Sequence, residues 1–351
     1  YKRQLPEKWH GLKDVELRYR YRYLDLIANQ DTRIFFKNRT KICNLIRNFL
    51  NVRGFIEVET PVLQPIYGGA MATPFKSFYQ ALDSDVYLRI AKELYLKRLI
   101  VGGYEKVYEI DKDFRNEGLD RFHNPEFTML EVYEAYKDYN DIMMLVEDLL
   151  IFLVKELYGG DRLVFQSQEV VLKKPFRKIY YVEELQSVLG LNPLELDKEA
   201  MRKQAEKFGL DFGPDISKGK MIDKLFDESV LKKIVEPTFV CDYPKLISPL
   251  AKEHRHNRDL VERFEPVIFG LELGNAFSEL NDPVEQRGRF EEQLREHEEG
   301  IGEIDEDFLL ALEHGMPPTG GLGIGIDRLC MVLLNKPSLR DVILFPHLRK
   351  E

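Results

Sequence analysis

The stretch 106–136 constrains this chain more than any other. Residues 106–115 and 127–136 read as two strands, joined by a polar connection at 116–126 that is long for a hairpin loop. Arg115 ends the outgoing strand, and the connection carries Asn116, Glu117, Arg121, His123, Asn124 and Glu126. On the returning strand Phe127, Met129, Glu131 and Tyr133 share one face by the period of two. A face of Phe, Glu and Tyr beside an Arg is poor core material. It suits a planar base stacked on Phe127, an anion held by Arg115 and a cation near Glu131 and Tyr133. The plainer alternative is a surface hairpin laced with salt bridges. Strands elsewhere also group into hairpins instead of alternating with helices, so the fold class is α+β with a central antiparallel sheet flanked by helices.

Length allows two domains, or one large domain with an insertion: 351 residues, 44% apolar and 32% charged. Twenty-two Phe and 17 Tyr exclude disorder as the main state. Cys43, Cys241 and Cys330 are odd in number and widely spaced, which fits a reducing cytosol better than a disulfide framework or a zinc site. No apolar run reaches the roughly 18 residues of a membrane span. The net charge of −9 hides an asymmetry. Residues 1–53 hold 13 Lys/Arg against 5 Asp/Glu, and residues 279–313 hold 13 acids against 3 Arg. A basic end on an acidic chain suits either a polyanionic partner or a solvated helix face.

Along the chain, residues 1–30 are a lead-in containing Leu5-Pro6-Glu7-Lys8-Trp9-His10-Gly11. Asp31 is placed to cap a helix with Phe35, Ile42, Leu45, Ile46 and Phe49 on one stripe, stopped by Gly54. A strand at 55–60 ends on Pro61, another spans 86–90, and a helix covers 92–101. A long helix follows at 138–158 and stops at Gly159-Gly160. Residues 161–235, rich in Lys and Glu and broken by Gly and Pro, read as a small helical insertion. Strands return at 238–240, 262–269 and 271–280. An acidic helix starts at Asn281-Asp282-Pro283, a short helix spans 306–314, and Gly320-Gly321-Leu322-Gly323-Ile324-Gly325 runs into a final helix.

Two further clusters carry chemistry. Glu265 and Glu272 bracket a turn near Gly270, so their carboxylates can converge; like charges in an apolar setting need a cation between them. Oxygen-only ligands of this kind suit Mg²⁺ shared with phosphates, and an exposed edge strand is the alternative. Gly274 breaks the alternation and resets Asn275, Phe277 and Glu279 onto one face. The run 321–325 matches neither a P-loop nor a dinucleotide fingerprint. It offers bare backbone for a flat ligand with Arg328 behind it, or simply close strand–helix packing.

With these stretches assembled, the sequence resembles the class II aminoacyl-tRNA synthetases, and within them the lysyl-tRNA synthetases. The first family motif resembles residues 34–61, ending Gly54-Phe55-Ile56-Glu57-Val58-Glu59-Thr60-Pro61. The second resembles Phe114-Arg115-Asn116-Glu117 through His123-Asn124-Pro125-Glu126-Phe127-Thr128, and the third Gly323-Ile324-Gly325-Ile326-Asp327-Arg328. The lysine subclass is suggested by Gly68-Gly69-Ala70, by 89–98, by 273–282 and by Asp341-Val342-Ile343-Leu344-Phe345-Pro346. The likeness runs from about residue 5 to 346. The sequence departs from the family's usual pattern at Lys92, Thr73 and Ala276, each beside a ligand position.

The resemblance implies ATP-dependent activation of lysine and transfer to the 3′ end of tRNA(Lys). Arg115 would grip the α-phosphate and the substrate carboxylate, and Arg328 the γ-phosphate. Phe127 would stack on adenine; Glu117, His123, Asn124 and Gly325 would complete the ATP site. Glu265 and Glu272 would hold Mg²⁺, with Glu272 also counted in the ATP site. Gly69 and Glu131 would take the α-amino group, Asn275 the carboxylate, and Glu93, Glu279, Tyr133 and Phe277 the ε-ammonium end. A buried ammonium needs carboxylate partners, and a neutral amino acid would leave them unpaired. The resemblance further implies a cytoplasmic homodimer joined through 31–61. It implies a catalytic domain at 31–351 interrupted at 161–235, with 1–30 as the linker from an anticodon-binding barrel belonging to a longer enzyme. The alternatives are a paralogue that lysylates elongation factor P and a non-catalytic lysine- or nucleotide-sensing module.

Overall fold

A computed structural model describes residues 12–213, 216–295 and 302–349. The motif at 5–11 and the acids between 296 and 301 lie outside the described residues. Three helices open the described chain: α1 (Val15–Arg20), α2 (Arg22–Ala28) and α3 (Gln30–Asn51). Asn29 takes the N-cap position of α3, so Asp31 sits inside the first turn, where its charge complements the helix dipole, and caps nothing. Phe35, Ile42, Ile46 and Phe49 form the buried stripe.

Among the described residues, part of the basic excess of this end is used internally. Arg22 is buried and donates to the carbonyls of Arg340 and Leu344 and to Asp25, while Arg39 pairs with Asp327 and Arg47 with Glu57. These contacts fasten the opening helices to the C-terminal segment and to the sheet. They leave fewer free cations than the composition suggested.

The strand expected at 55–60 shrinks to β1 (Ile56–Glu57). Beyond it the Glu109 carboxylate accepts from the Thr60 amide and hydroxyl, replacing ladder bonds. A separate three-stranded sheet follows, made of β2 (Leu63–Gln64), β3 (Phe75–Tyr79) and β4 (Ser84–Leu88). Helix α4 (Glu93–Val101) leads into the hairpin β5 (Lys106–Phe114) and β6 (Glu126–Ala135). Helix α5 (Tyr139–Tyr158) begins with a reciprocal capping box between Asp138 and Asp141 and ends on left-handed Gly159.

Residues 161–235, expected to be helical, open instead with strands. A hairpin of β7 (Arg162–Phe165) and β8 (Gln168–Val171) precedes β9 (Arg177–Tyr180), and only then come α6 (Tyr181–Leu189), α7 (Lys198–Glu206) and α8 (Lys218–Ser229). Four residues of β9 show little pattern of their own. They become a strand by pairing in parallel with β10 (Thr238–Pro244), Ile179 opposite Val240.

The rest of the sheet comes from β11 (Glu253–His254), β12 (Asn257–Ile268), β13 (Leu271–Glu272), β14 (Gly274–Ser278) and β15 (Thr319–Gly325). Helices α9 (Pro283–Arg295) and α10 (Glu306–Glu313) intervene, and α11 (Ile326–Leu333) and α12 (Leu339–Val342) close the fold. The strand order is β1-β5-β6-β15-β14-β12-β10-β9. Its interior is antiparallel, as the hairpins of the sequence imply, and the two edge strands, β1 and β9, run parallel to their neighbours, so the sheet as a whole is mixed.

Alternation divides the sheet into two faces. Leu130, Val132, Phe264, Ala276, Leu322 and Ile324 point to a core shared with α3, α5 and α11. Burying each of the larger side chains contributes about 1.5–3 kcal/mol. The opposite face carries the intervening residues and forms the floor of a cleft. No helix among the described residues is long and apolar enough to cross a membrane.

Candidate active site

Register builds the cleft floor in rows. Gly321 of β15 lies between Tyr133 of β6 and Phe277 of β14, and Gly323 between Glu131 and Asn275. Glycines on the central strand keep the floor low between walls of functional side chains. Gly274 is needed for closeness: a Cβ there would meet the Gly323 carbonyl oxygen at 2.3 Å. The ladder is interrupted between β13 and β14, which lets Glu272 and Asn275 reach the same cleft despite their odd spacing. Phe269 and Gly270, with φ of 56° and 69°, form the tight turn that brings Glu272 back beside Glu265.

The cleft encloses about 570 Å³, within the range of small-molecule sites. Its walls include every candidate residue from the sequence: Gly69, Glu93, Arg115, Glu117, His123, Asn124, Phe127, Glu131, Tyr133, Glu265, Glu272, Asn275, Phe277, Glu279, Gly325 and Arg328. Their environments differ by region. Arg115 lies 5.1 Å from the Phe127 ring centroid, and its buried Nε has no hydrogen-bond partner. Arg328 donates to the Glu272 carbonyl at 2.6 Å and to its carboxylate at 3.2 Å. Glu117 and His123 are exposed at the mouth. His123 pairs with Asp120 at 2.8 Å, and Asn124 bonds the Glu126 carbonyl and the His347 amide, which ties the long loop to the C-terminal segment.

A second region is acidic. Glu265 is pushed up to about 8, by burial first and by the charge of Glu272 second, with Arg263 opposing. Asp223 and Asp227 of α8 face the same wall, and Asp227 is pushed up to about 7 by burial and by Asp223. Among the described residues no three His, Cys, Asp or Glu side chains are grouped closely enough to cage a metal. A converging pair suits a Mg²⁺ that takes its other ligands from water and phosphate, so Glu265 and Glu272 fit that ion.

At the opposite end three carboxylates converge. Glu131 accepts from the Lys92 amide at 3.1 Å and from the Tyr133 hydroxyl at 3.2 Å. Burial pushes Glu131 up to about 7, with Lys92 opposing. Glu93 and Glu279 are also raised by burial, although Lys97 lowers both. The Glu279 Oε1 atom is buried without a hydrogen-bond partner, so this oxygen is the acceptor left over for a substrate donor.

Several residues that shape the site were not singled out from the sequence. Arg263 donates to Asn275 Oδ1 at 2.8 Å and to Glu265 at 2.7 Å. Because arginine only donates, Asn275 is left with its amide hydrogens for the cleft. Arg263 shares a face with Glu265 by the period of two, a signal present in the sequence. Asp327 accepts from the Thr128 amide at 2.8 Å and pairs with Arg39 at 2.6 Å, locking α3, β6 and α11 together beneath Arg328. Asp223 and Asp227 lie in the inserted segment, where no pattern marks them.

A family model described as tRNA synthetases class II (D, K and N) matches residues 14–349. The chain belongs to this family of class II tRNA synthetases. Among curated proteins it is 52% identical over 355 residues to a lysine–tRNA ligase of Clostridium tetani (strain Massachusetts / E88), covering 98% of this chain and 70% of that protein. It is 53% identical over 348 residues to a lysine–tRNA ligase of Roseiflexus sp. (strain RS-1), covering 98% and 71%. A third, from Aquifex aeolicus (strain VF5), is 51% identical over 352 residues, covering 99% and 59%.

Proposed function

We propose that this chain is a lysine–tRNA ligase, joining L-lysine to the 3′ end of tRNA(Lys) at the expense of ATP. The observation that carries the amino-acid assignment is the carboxylate group Glu93, Glu131 and Glu279 at the closed end of a cleft whose other end holds Arg115 and Arg328. The names of the relatives point the same way, and they do not favour a protein acceptor or a sensing module.

In this reading Phe127 stacks on adenine, with Glu117, His123, Asn124 and Gly325 completing the nucleotide site. Arg115 holds the α-phosphate and the lysine carboxylate; Arg328 holds the γ-phosphate. Glu265 and Glu272 hold Mg²⁺, which when bound neutralises phosphate charge. Gly69 and Glu131 take the α-ammonium, and Asn275 uses its amide hydrogens on the carboxylate. Glu93, Glu279 and Tyr133 receive the ε-ammonium against the Phe277 ring. The lysine carboxylate attacks the α-phosphorus and releases pyrophosphate, and the terminal ribose hydroxyl of tRNA then attacks the acyl carbon, losing its proton as the bond to the phosphate breaks and AMP leaves. Positioning and charge stabilisation carry both steps, so the two arginines act without a dedicated general base.

The same reading makes residues 31–351 the catalytic domain, with 161–235 inserted and 1–30 leading into it. It makes the chain a cytoplasmic homodimer joined through 31–61, where Ile34, Val52 and Ile56 are exposed. Amino-acid-dependent ATP–pyrophosphate exchange with Mg²⁺, run on all twenty amino acids, tests the activity. Exchange with lysine alone is the expected result; equal exchange with a neutral amino acid would refute the assignment.

A further inference from the structure

Among the described residues Lys97 is the one cation in direct ion-pair contact with the carboxylates of the amine end, yet it is not part of the cleft wall. It lies one turn after Glu93 on α4, fully buried. Its Nζ is 2.6 Å from Glu93 Oε1 and also pairs with Glu279 Oε2. The Phe277 and Phe308 rings stand 5.8 and 6.0 Å away. Glu93 and Glu279 line the cleft; Lys97 stands behind them. Each carboxylate is therefore gripped from behind through one oxygen. The remaining Glu279 oxygen, Oε1, lies against Gly321 and is unpartnered.

The charges at this end add up to a definite requirement. Glu93 and Lys97 come from α4, Glu131 and Tyr133 from β6, and Glu279 follows β14. Lys92, the next cation along, is cancelled by Asp113 at 2.8 Å, and Arg98 by Asp305 at 2.7 Å. Three carboxylates less one ammonium leave two negative charges, and lysine brings two ammoniums. Without Lys97 three carboxylates would face two ammoniums in a dry site, and one of them would have to carry a proton.

We propose that Lys97 is a positioning residue for substrate recognition: from behind the cleft it clamps Glu93 and Glu279 and sets the charge that the two ammoniums of lysine complete. This rests on lysine being the amino acid bound. Tyr133 stays neutral in this scheme, since burial raises it well above the usual phenol range.

The test is lysine-dependent ATP–pyrophosphate exchange between about pH 7 and pH 9, each variant's lysine KM being read as a ratio to the wild type's at the same pH so that titration of the substrate α-ammonium cancels. It compares the wild type, Lys97→Met, and the charge-compensated Lys97→Met/Glu93→Gln. Lys97→Met is expected to raise the lysine KM about tenfold or more at pH 7, as a one-unit rise in a carboxylate pKa would. The ATP KM stays close to that of the wild type, and the gap in lysine KM narrows towards pH 9 as the carboxylates ionise. The double variant, with balanced charges, loses that pH slope. Lysine and ATP KM rising together, or a Lys97→Met profile parallel to the wild type, would reduce Lys97 to packing and overturn the proposal. If Lys97→Met alone does not fold, the double variant decides: a constant ratio to the wild-type lysine KM across the pH range supports the proposal and a pH-dependent ratio overturns it. Absence of lysine-dependent exchange in the wild type would instead refute the lysine reading itself.

Discussion

Gly321 is the residue on which the amine end of the cleft is most finely balanced. A Cβ there would fall 1.8 Å from Glu279 Oε1 and 2.9 Å from the Tyr133 ring. Gly321→Ala is expected to raise the lysine KM by about a hundredfold, equivalent to about 2.7 kcal/mol, with the ATP KM little changed. Gly323→Ala meets the flexible end of Met129 at 3.2 Å and the Asn275 carbonyl at an ordinary 3.8 Å, and is expected to be several times milder. Exchange kinetics of the two variants check the contrast. Glu131 supplies a pH signature. Its folded value of about 7 lies above the ordinary carboxylate value, so the ligand-free protein takes up a proton on folding. The associated stability is present in acid and is lost as pH rises through about 7. Lysine binding needs the ionised form, so affinity rises over the same interval. Calorimetric titrations between pH 6 and 8 should show that rise and lose it in Glu131→Gln; a pH-independent affinity would contradict the α-ammonium assignment. At this scale the sequence was informative, because period-two alternation alone put Phe127, Met129, Glu131 and Tyr133 on one face. Lys97 was harder to find, since a lysine one turn after a glutamate is also what an ordinary surface pair looks like.

Elements join the site through a few buried polar contacts. Arg39 on α3 reaches Asp327 at the start of α11, and Asp327 in turn holds the Thr128 amide on β6. Arg39→Met leaves that carboxylate buried with one donor, and is expected to cost about 3–5 kcal/mol, as breaking one side of a buried ion pair does. Urea unfolding measures it, and a loss below about 1 kcal/mol would show the tie to be incidental. Such ties were illegible beforehand because the partners lie far apart in sequence. Short edge strands were missed for a related reason. Nothing in Arg177-Lys178-Ile179-Tyr180 marks a strand until β10 is beside it. Long elements with their own signals, such as α5 between Asp138 and Gly159, were legible from caps and periodicity.

For the whole molecule, the reading joins two copies through 31–61. Sedimentation is expected to give a mass about twice the chain's 41.2 kDa. Ile34→Asp combined with Val52→Asp, both at exposed positions, should shift it to monomer while the melting temperature of the chain changes little. A monomeric wild type would contradict the homodimer. In the cleft itself, the carboxylates at its closed end are proposed to receive the two ammoniums of lysine while the arginines face the phosphates. A crystal structure with L-lysine and a non-hydrolysable ATP analogue tests it most directly. The ε-ammonium is expected within about 3 Å of Glu279 Oε1 and Glu93, with the carboxylate between Arg115 and Asn275. Lysine bound in the reverse sense, or its ε-ammonium beside Asp223 and Asp227, would contradict it.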